Sequence, residues 1–258
     1  MSSQELTISL IQSNLYWHER AANLEAFSEK IENIQEETDL IILPEMFTSG
    51  FTMEPEQVSE TMDGKTVQWM HRMAALKNTA ITGSIVIKED GNYFNRLIFV
   101  FPEGTLEYYD KKHTFTLAGE HKVYAAGTNL KTILYKGWKI RPLICYDLRF
   151  PVWSRNTDDY DLLLYVANWP EPRVNAWDAL LKARAIENMA YCVGVNRIGE
   201  DNNGHTYVGH SAVYDVLGDR KLFLETPTIE TITLSKSHIH QYRNKLKFLD
   251  DRDEFILK

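Results

Sequence analysis

Short apolar runs, each ending in a polar or reactive residue, recur along this chain. Leu40-Ile41-Ile42-Leu43 and Leu162-Leu163-Leu164-Tyr165-Val166 are uninterrupted, and residues 140–144 are largely apolar. Runs that are apolar at nearly every position read as strands covered on both faces, as in the parallel sheet of an α/β protein. The first run leads into Pro44-Glu45-Met46-Phe47, the second into Ala167-Asn168-Trp169-Pro170, and the third into Cys145. Open α/β sheets place their sites at that carboxyl edge.

Between the runs the apolar spacing changes to three and four. Residues 20–36 carry Leu24, Phe27, Ile31 and Ile34. Residues 67–76 carry Trp69, Met70, Met73 and Ala74, and residues 177–190 carry Trp177, Leu180, Leu181, Ile186 and Met189 as inward positions. These spacings predict amphipathic helices. Further strands are expected at residues 6–11, 81–87, 93–101, 106–109 and 191–195, with hairpin-like strands over 209–234 and a mixed tail over 242–258. Strand and helix alternate without repeats or linkers, which predicts one α/β domain over 1–258.

At 258 residues, one such domain is ordinary. A net charge of −8 argues against nucleic acid or an acidic membrane as partner. No basic leader or long apolar run occurs, so no signal peptide and no membrane span are expected. Two cysteines, Cys145 and Cys192, offer neither a disulfide framework nor a four-ligand zinc site. A cytoplasmic setting, in which a free thiol persists, follows as the expectation.

Glu45, Lys111 and Cys145 all fall where strands run out. Cys145 at a strand-to-helix bend is expected to be exposed and near the positive end of a helix dipole, both of which favour a thiolate. Each residue also has a plain reading. Cys145 can be a small buried apolar residue, Glu45 a cap or solvated acid, and Lys111 with Lys112 a solvated sheet edge. The three types complement one another. A free thiol titrates near 8.5, so only a few per cent is thiolate at neutral pH. A carboxylate can take its proton and hand it to a departing amine. An ammonium, with the backbone N–H of Tyr146, can stabilise a tetrahedral oxyanion. That set points to acyl transfer through a thioester.

Leu43-Pro44-Glu45-Met46-Phe47, Tyr109-Asp110-Lys111-Lys112-His113 and Leu143-Ile144-Cys145-Tyr146-Asp147-Leu148-Arg149-Phe150-Pro151 resemble the three signature segments of the nitrilase superfamily of carbon–nitrogen hydrolases. Residues 167–170, 183–188 and 194–199 are also similar to that family, and the resemblance runs from the first strand to about Gly218. Residues 45–51 and 119–121 lean toward its omega-amidase branch, which acts on 2-oxoglutaramate and 2-oxosuccinamate. Thr114 departs from that branch, which has an apolar residue after its histidine.

The resemblance implies a four-layer α-β-β-α sandwich, with Glu45 as general base, Lys111 as transition-state stabiliser and Cys145 as nucleophile. It implies that Glu120 is a second carboxylate near the site, positioning Lys111 or substrate. It further implies a homodimer or higher homo-oligomer, with the helix after Cys145 and the tail from about residue 235 at the interface. The partners are then a small-molecule amide and water, and neither metal nor organic cofactor is required. Arg149 either clamps the free carboxylate of the substrate or pairs with Asp147 or another acid to order the bend. Trp169 and Phe47 are candidate pocket walls, or plain core. A papain-like pairing with His113 or His121, a nitrile or carbamoyl substrate, and a non-catalytic module on the same fold are the competing readings.

Overall fold

The computed structural model describes residues 4–256. The first half runs β1 (Glu5–Gln12), α1 (Arg20–Glu32), β2 (Leu40–Ile42), α2 (Pro55–Val58), α3 (Lys65–Lys77), β3 (Ala80–Glu89), β4 (Asn92–Val100) and β5 (Leu106–Asp110). The second runs β6 (Ile133–Tyr135), β7 (Trp138–Ile144), α4 (Pro151–Ser154), β8 (Leu162–Ala167), α5 (Val174–Asn188) and β9 (Tyr191–Asn196). It continues through a small hairpin, β10 (Ile198–Glu200) and β11 (Thr206–Val208), to β12 (Ser211–Tyr214), β13 (Arg220–Leu224), β14 (Thr228–Ser235) and α6 (Lys236–Leu246).

Two six-stranded sheets result, ordered β14-β1-β2-β3-β4-β5 and β13-β12-β9-β8-β7-β6. Each has three parallel strands at its centre, β1-β2-β3 and β7-β8-β9, flanked by antiparallel ones. The apolar runs are therefore buried on both faces for the reason given by their composition. One core joins Ile8, Leu10 and Phe99 of the first sheet to Leu143, Leu162 and Leu164 of the second. A second core packs Phe27 and Ile31 of α1 and Trp69, Met70 and Met73 of α3 on the outer face of the first sheet. Each such fully buried side chain contributes roughly 1.5–3 kcal/mol. On the other sheet α5 packs close, because a Cβ on Gly194 would lie 2.6 Å from both Leu181 and Trp177. The single domain is thus layered α-β-β-α, as the resemblance implies.

Two expectations need correction. Only β12 and β13 form a hairpin in the 209–234 region; β14 crosses to the other sheet and pairs with β1 from Glu5↔Ser235 to Gln12↔Thr228. Hydroxyl pairs support that long-range register, Thr7 with Thr233 at 2.9 Å and Ser9 with Thr231 at 2.8 Å. After β14 the chain forms α6, with the Ser235 hydroxyl accepting the His238 N–H and Ile239 buried, and from residue 247 to 256 it is turn and irregular chain. Ile186 does not face inward: it is 44% exposed, because Arg184 and Asn188 occupy the inner face of α5 instead. The Arg184 guanidinium donates to the Leu148 carbonyl at 2.6 Å, tying α5 to the turn that follows Cys145.

Candidate active site

Glu45, Lys111 and Cys145 meet where the two sheets present their strand ends. Glu45 follows β2, and the turn after it is held by β3: the Met46 and Phe47 N–H groups donate to the Ser84 hydroxyl at 2.9 Å and carbonyl at 3.1 Å. Lys111 follows β5. Its carbonyl accepts the N–H of Gly127, where a Cβ would lie 2.1 Å from the Asp110 carbonyl oxygen, so only glycine lets the returning chain lie this close. Cys145 follows β7 and opens a short 3-10 helix, Cys145–Arg149. Cys145 and Met46 both sit in the left-handed region, at φ 43° and 42°. Such backbone costs of order 1–3 kcal/mol and persists only where surrounding contacts impose it.

The buried charges form one network. Lys111 Nζ donates to Glu45 Oε1 at 3.0 Å and to both carboxylate oxygens of Glu120 at 3.0 Å. Glu45 Oε1 also accepts from Asn95 Nδ2 at 2.8 Å, and Oε2 accepts from the Asn168 N–H at 2.7 Å. Glu120 accepts the Phe115 N–H as well. All three side chains are at most 1% exposed. Burial alone would discharge the Lys111 ammonium, but Glu120 and Glu45 outweigh it and hold its pKa above the usual lysine range. Burial pushes the Glu120 carboxyl up, with Lys111 opposing.

Cys145 is 9% exposed, so the expectation of an exposed, thiolate-prone cysteine is corrected. Burial pushes the thiol well up, the adjacent Glu45 carboxylate adds to the rise, and Lys111 pulls the other way without prevailing. The resting thiol is therefore protonated at neutral pH, and its proton has a carboxylate beside it. Sγ also lies 3.9 Å from the Asn168 carbonyl oxygen. Tyr146 is the second residue of the short helix, so its N–H belongs to the first turn, whose donors lack partners within the helix. Its ring packs against Phe115 and Phe150.

Asp147 organises this corner without entering it. Fully buried, it accepts from the Ile144 N–H at 3.0 Å, the Tyr109 hydroxyl at 2.8 Å, the His113 N–H at 3.0 Å and His113 Nδ1 at 2.8 Å. It is not paired with Arg149. His113 also stacks on Phe150 at 3.7 Å, and His121 is exposed; neither lines the cavity that contains Cys145, so a papain-like pairing finds no support.

That cavity encloses about 630 Å³. Lys111, Cys145, Arg149, Asn168 and Trp169 line it, together with Phe51 and Arg173. Arg149 lies 4.9 Å over the Trp169 ring. Phe47, expected as a pocket wall, is a core residue: its ring packs against Phe27 and Trp69 beneath the sheet. The residues missed in the sequence are Asn95, Asn168, Asp147 and Arg173. Asn168 stands at the end of an apolar run, the same signal that marks Glu45 and Cys145. Among the described residues no cluster of three or more His, Cys, Asp or Glu is placed to hold a metal, and no helix is long and apolar enough to cross a membrane.

A buried thiol set against a carboxylate and an ammonium, on a two-sheet α/β sandwich, defines a thiol hydrolase with chemistry suited to amides. The chain belongs to the carbon–nitrogen hydrolase family, whose model matches residues 7–240. The likeness thus extends past Gly218, where the sequence motifs end, into β14 and α6. The chain is 46% identical over 254 residues to omega-amidase YafV of Escherichia coli (strain K12), covering 98% of each. It is 32% identical over 217 residues to 2-oxoglutaramate amidase of Bacillus subtilis (strain 168), covering 82% of this chain and 83% of that one. Among solved structures it superposes on XC1258 of Xanthomonas campestris, a CN-hydrolase superfamily protein with an arsenic adduct in its active site. There the TM-score is 0.97 at 42% identity, covering 99% of this chain and 100% of the other.

Proposed function

We propose that this protein is an omega-amidase. It hydrolyses the terminal carboxamide of a small 2-oxo acid, such as 2-oxoglutaramate or 2-oxosuccinamate, to the dicarboxylate and ammonia. The observation that carries the reading is the nearly buried Cys145 thiol set against Glu45, which Lys111 holds by a 3.0 Å ion pair. The similarity to omega-amidase YafV supports the choice of substrate class.

The chemistry follows from these positions. As Sγ attacks the amide carbon, Glu45 takes the thiol proton, so a thiolate never has to exist free in a site that disfavours it. The carbonyl oxygen becomes an oxyanion, facing the Lys111 ammonium and the Tyr146 N–H. Glu45 then gives its proton to the departing nitrogen, ammonia leaves, and a thioester remains on Cys145. Water attacks that thioester with Glu45 again as base, releasing the carboxylate and restoring the thiol. Glu120 keeps Lys111 charged and in place, and Asn95 with Asn168 fixes the Glu45 carboxylate. Arg149 supplies the cation for the substrate's free carboxylate, and Trp169 the wall beneath it.

The test is ammonia release across ω-amides, nitriles and carbamoyl compounds, with Cys145→Ala as the blank. A nitrile or carbamoyl compound turned over in preference to every ω-amide would sink the reading. We also place the enzyme in the cytoplasm as a homodimer, with α4, whose Val152 is 56% exposed, and the tail from about residue 235 at the interface. Sedimentation of a monomer at micromolar concentration would contradict the dimer.

A further inference from the structure

Arg173 ends the short helix Glu171–Arg173 and has no part in the motifs. Its guanidinium lines the cavity and lies 5.2 Å over the Phe115 ring. Arg149 lines the same cavity over Trp169, and the Trp169 indole N–H donates to the Arg173 carbonyl at 2.8 Å. One indole therefore carries the Arg149 guanidinium on its face and holds the backbone of Arg173 by its N–H. Among the described residues neither guanidinium has a carboxylate partner, whereas the buried Arg96, Arg141 and Arg184 each have at least one and the buried Arg197 is held by neutral oxygens. An aromatic face holds a guanidinium without neutralising it, so its planar N–H fork stays available to an anion.

Neither acid of the lining, Asp201 or Glu54, forms an ion pair with these guanidiniums. Asp201 Oδ1 accepts the N–H groups of Asn203 at 2.8 Å and His205 at 3.0 Å. Its Oδ2 accepts the Tyr207 hydroxyl at 2.8 Å and lies 3.4 Å from His205 Nδ1. Glu54 is exposed at the rim, where water and salt screen it.

We infer that Arg149 and Arg173 together form a subsite that reads the substituent beside the substrate's carboxylate, accepting a 2-oxo group and rejecting a 2-ammonium group. The inference rests on the omega-amidase reading. A 2-oxo acid end presents only acceptors, a carboxylate and a carbonyl oxygen, to two donor forks. Glutamine or asparagine would instead bring an ammonium up to two unneutralised guanidiniums, and like charge is what excludes the wrong partner. The pair thereby keeps an amide hydrolase off the abundant amino-acid amides.

The experiment compares kcat/KM for 2-oxoglutaramate and for glutamine in the wild type, Arg173→Met, Arg173→Gln and Arg173→Lys. Both neutral variants are expected to lower the 2-oxoglutaramate-to-glutamine ratio by about 20-fold or more, mainly through KM for the oxo acid, and Arg173→Lys to recover most of it. Arg173→Gln keeps a stem over Phe115 and gives a second reading if the methionine variant misfolds. A ratio within about twofold of wild type in a folded neutral variant overturns the subsite. So does a wild-type enzyme that hydrolyses glutamine as well as 2-oxoglutaramate, although that result leaves the amidase reading intact. A wild type that releases ammonia from neither overturns both.

Discussion

The Tyr109 hydroxyl donates to Asp147 Oδ2 across 2.8 Å, and through that bond the strand carrying Lys111 is fastened to the turn carrying Cys145. The same hydroxyl accepts from Trp153 Nε1 at 3.0 Å and from the Lys112 N–H at 3.2 Å. The two sheets are thus locked together by neutral and charged hydrogen bonds close in sequence to the reacting groups. Tyr109→Phe removes all three bonds and leaves buried partners unsatisfied, so it should cost about 1–3 kcal/mol in urea unfolding. It should also lower kcat, since Lys111 is then less firmly placed. An unchanged unfolding midpoint and unchanged kcat would show that this lock is dispensable.

Cys145→Ala should reduce ammonia release to background while the urea midpoint stays within about 1.5 kcal/mol of wild type, because only a small, nearly buried sulfur is removed. Cys145→Ser should be as inactive, since Glu45 faces a far less acidic hydroxyl. Normal turnover by the alanine variant would remove Cys145 from the mechanism.

Glu45→Gln separates the two effects of that carboxylate on the thiol. Removing the negative charge removes one cause of the raised thiol pKa and leaves the Lys111 pull, so alkylation of Cys145 by iodoacetamide should reach half-maximum at lower pH. Acylation by substrate should nevertheless fall at least about 100-fold, because the base is gone. An alkylation midpoint that moves to higher pH would contradict the electrostatic account. Acylation at the wild-type rate would contradict the role of base.

The central strands, Glu45 and Cys145 are legible because one physical fact, burial on both faces, produces apolar runs whose ends are conspicuous; Lys111 follows the half-exposed β5 and stands out only through its motif. Glu45, Cys145 and Asn168 all follow such runs. Asn95 carries no comparable signal, since it lies within β4 and only the pairing of strands brings its amide to Glu45. The β1–β14 pairing joins opposite ends of the chain and depends on no local turn. Helix α5 departs from its spacing at one position because a buried guanidinium takes the place that spacing assigns to Ile186. The environment of Cys145 departs from expectation for a related reason. A strand-end position reveals that the residue faces a site, but the loops that roof the site decide how much water reaches it.

Arg149→Ala should lower kcat/KM for 2-oxoglutaramate by about 1.5–3 kcal/mol, the range for a hydrogen bond to a charged group. That corresponds to roughly 10- to 150-fold. An uncharged primary amide of similar length should change by less than about threefold. Equal losses on both substrates would mean that Arg149 orders the turn rather than holding the carboxylate, even though Asp147 is committed to other partners.

Cys192 lies fully buried within β9, and burial holds its thiol well above the ordinary range. It should therefore resist alkylation in the folded protein, in contrast to the cavity-lining Cys145. The same burial makes stability depend on pH with a definite sign. The unfolded thiol titrates near 8.5 and the folded one higher, so the folded state keeps its proton longer. Its contribution is complete below about pH 8.5 and is lost as pH rises toward the folded value. Between pH 7 and pH 10 this one group should account for about 2 kcal/mol of lost stability. Cys192→Val, close in volume and without the titrating proton, should lose about 2 kcal/mol less than wild type over that interval in urea unfolding. A parallel decline in the two proteins would show that Cys192 titrates normally in the folded state.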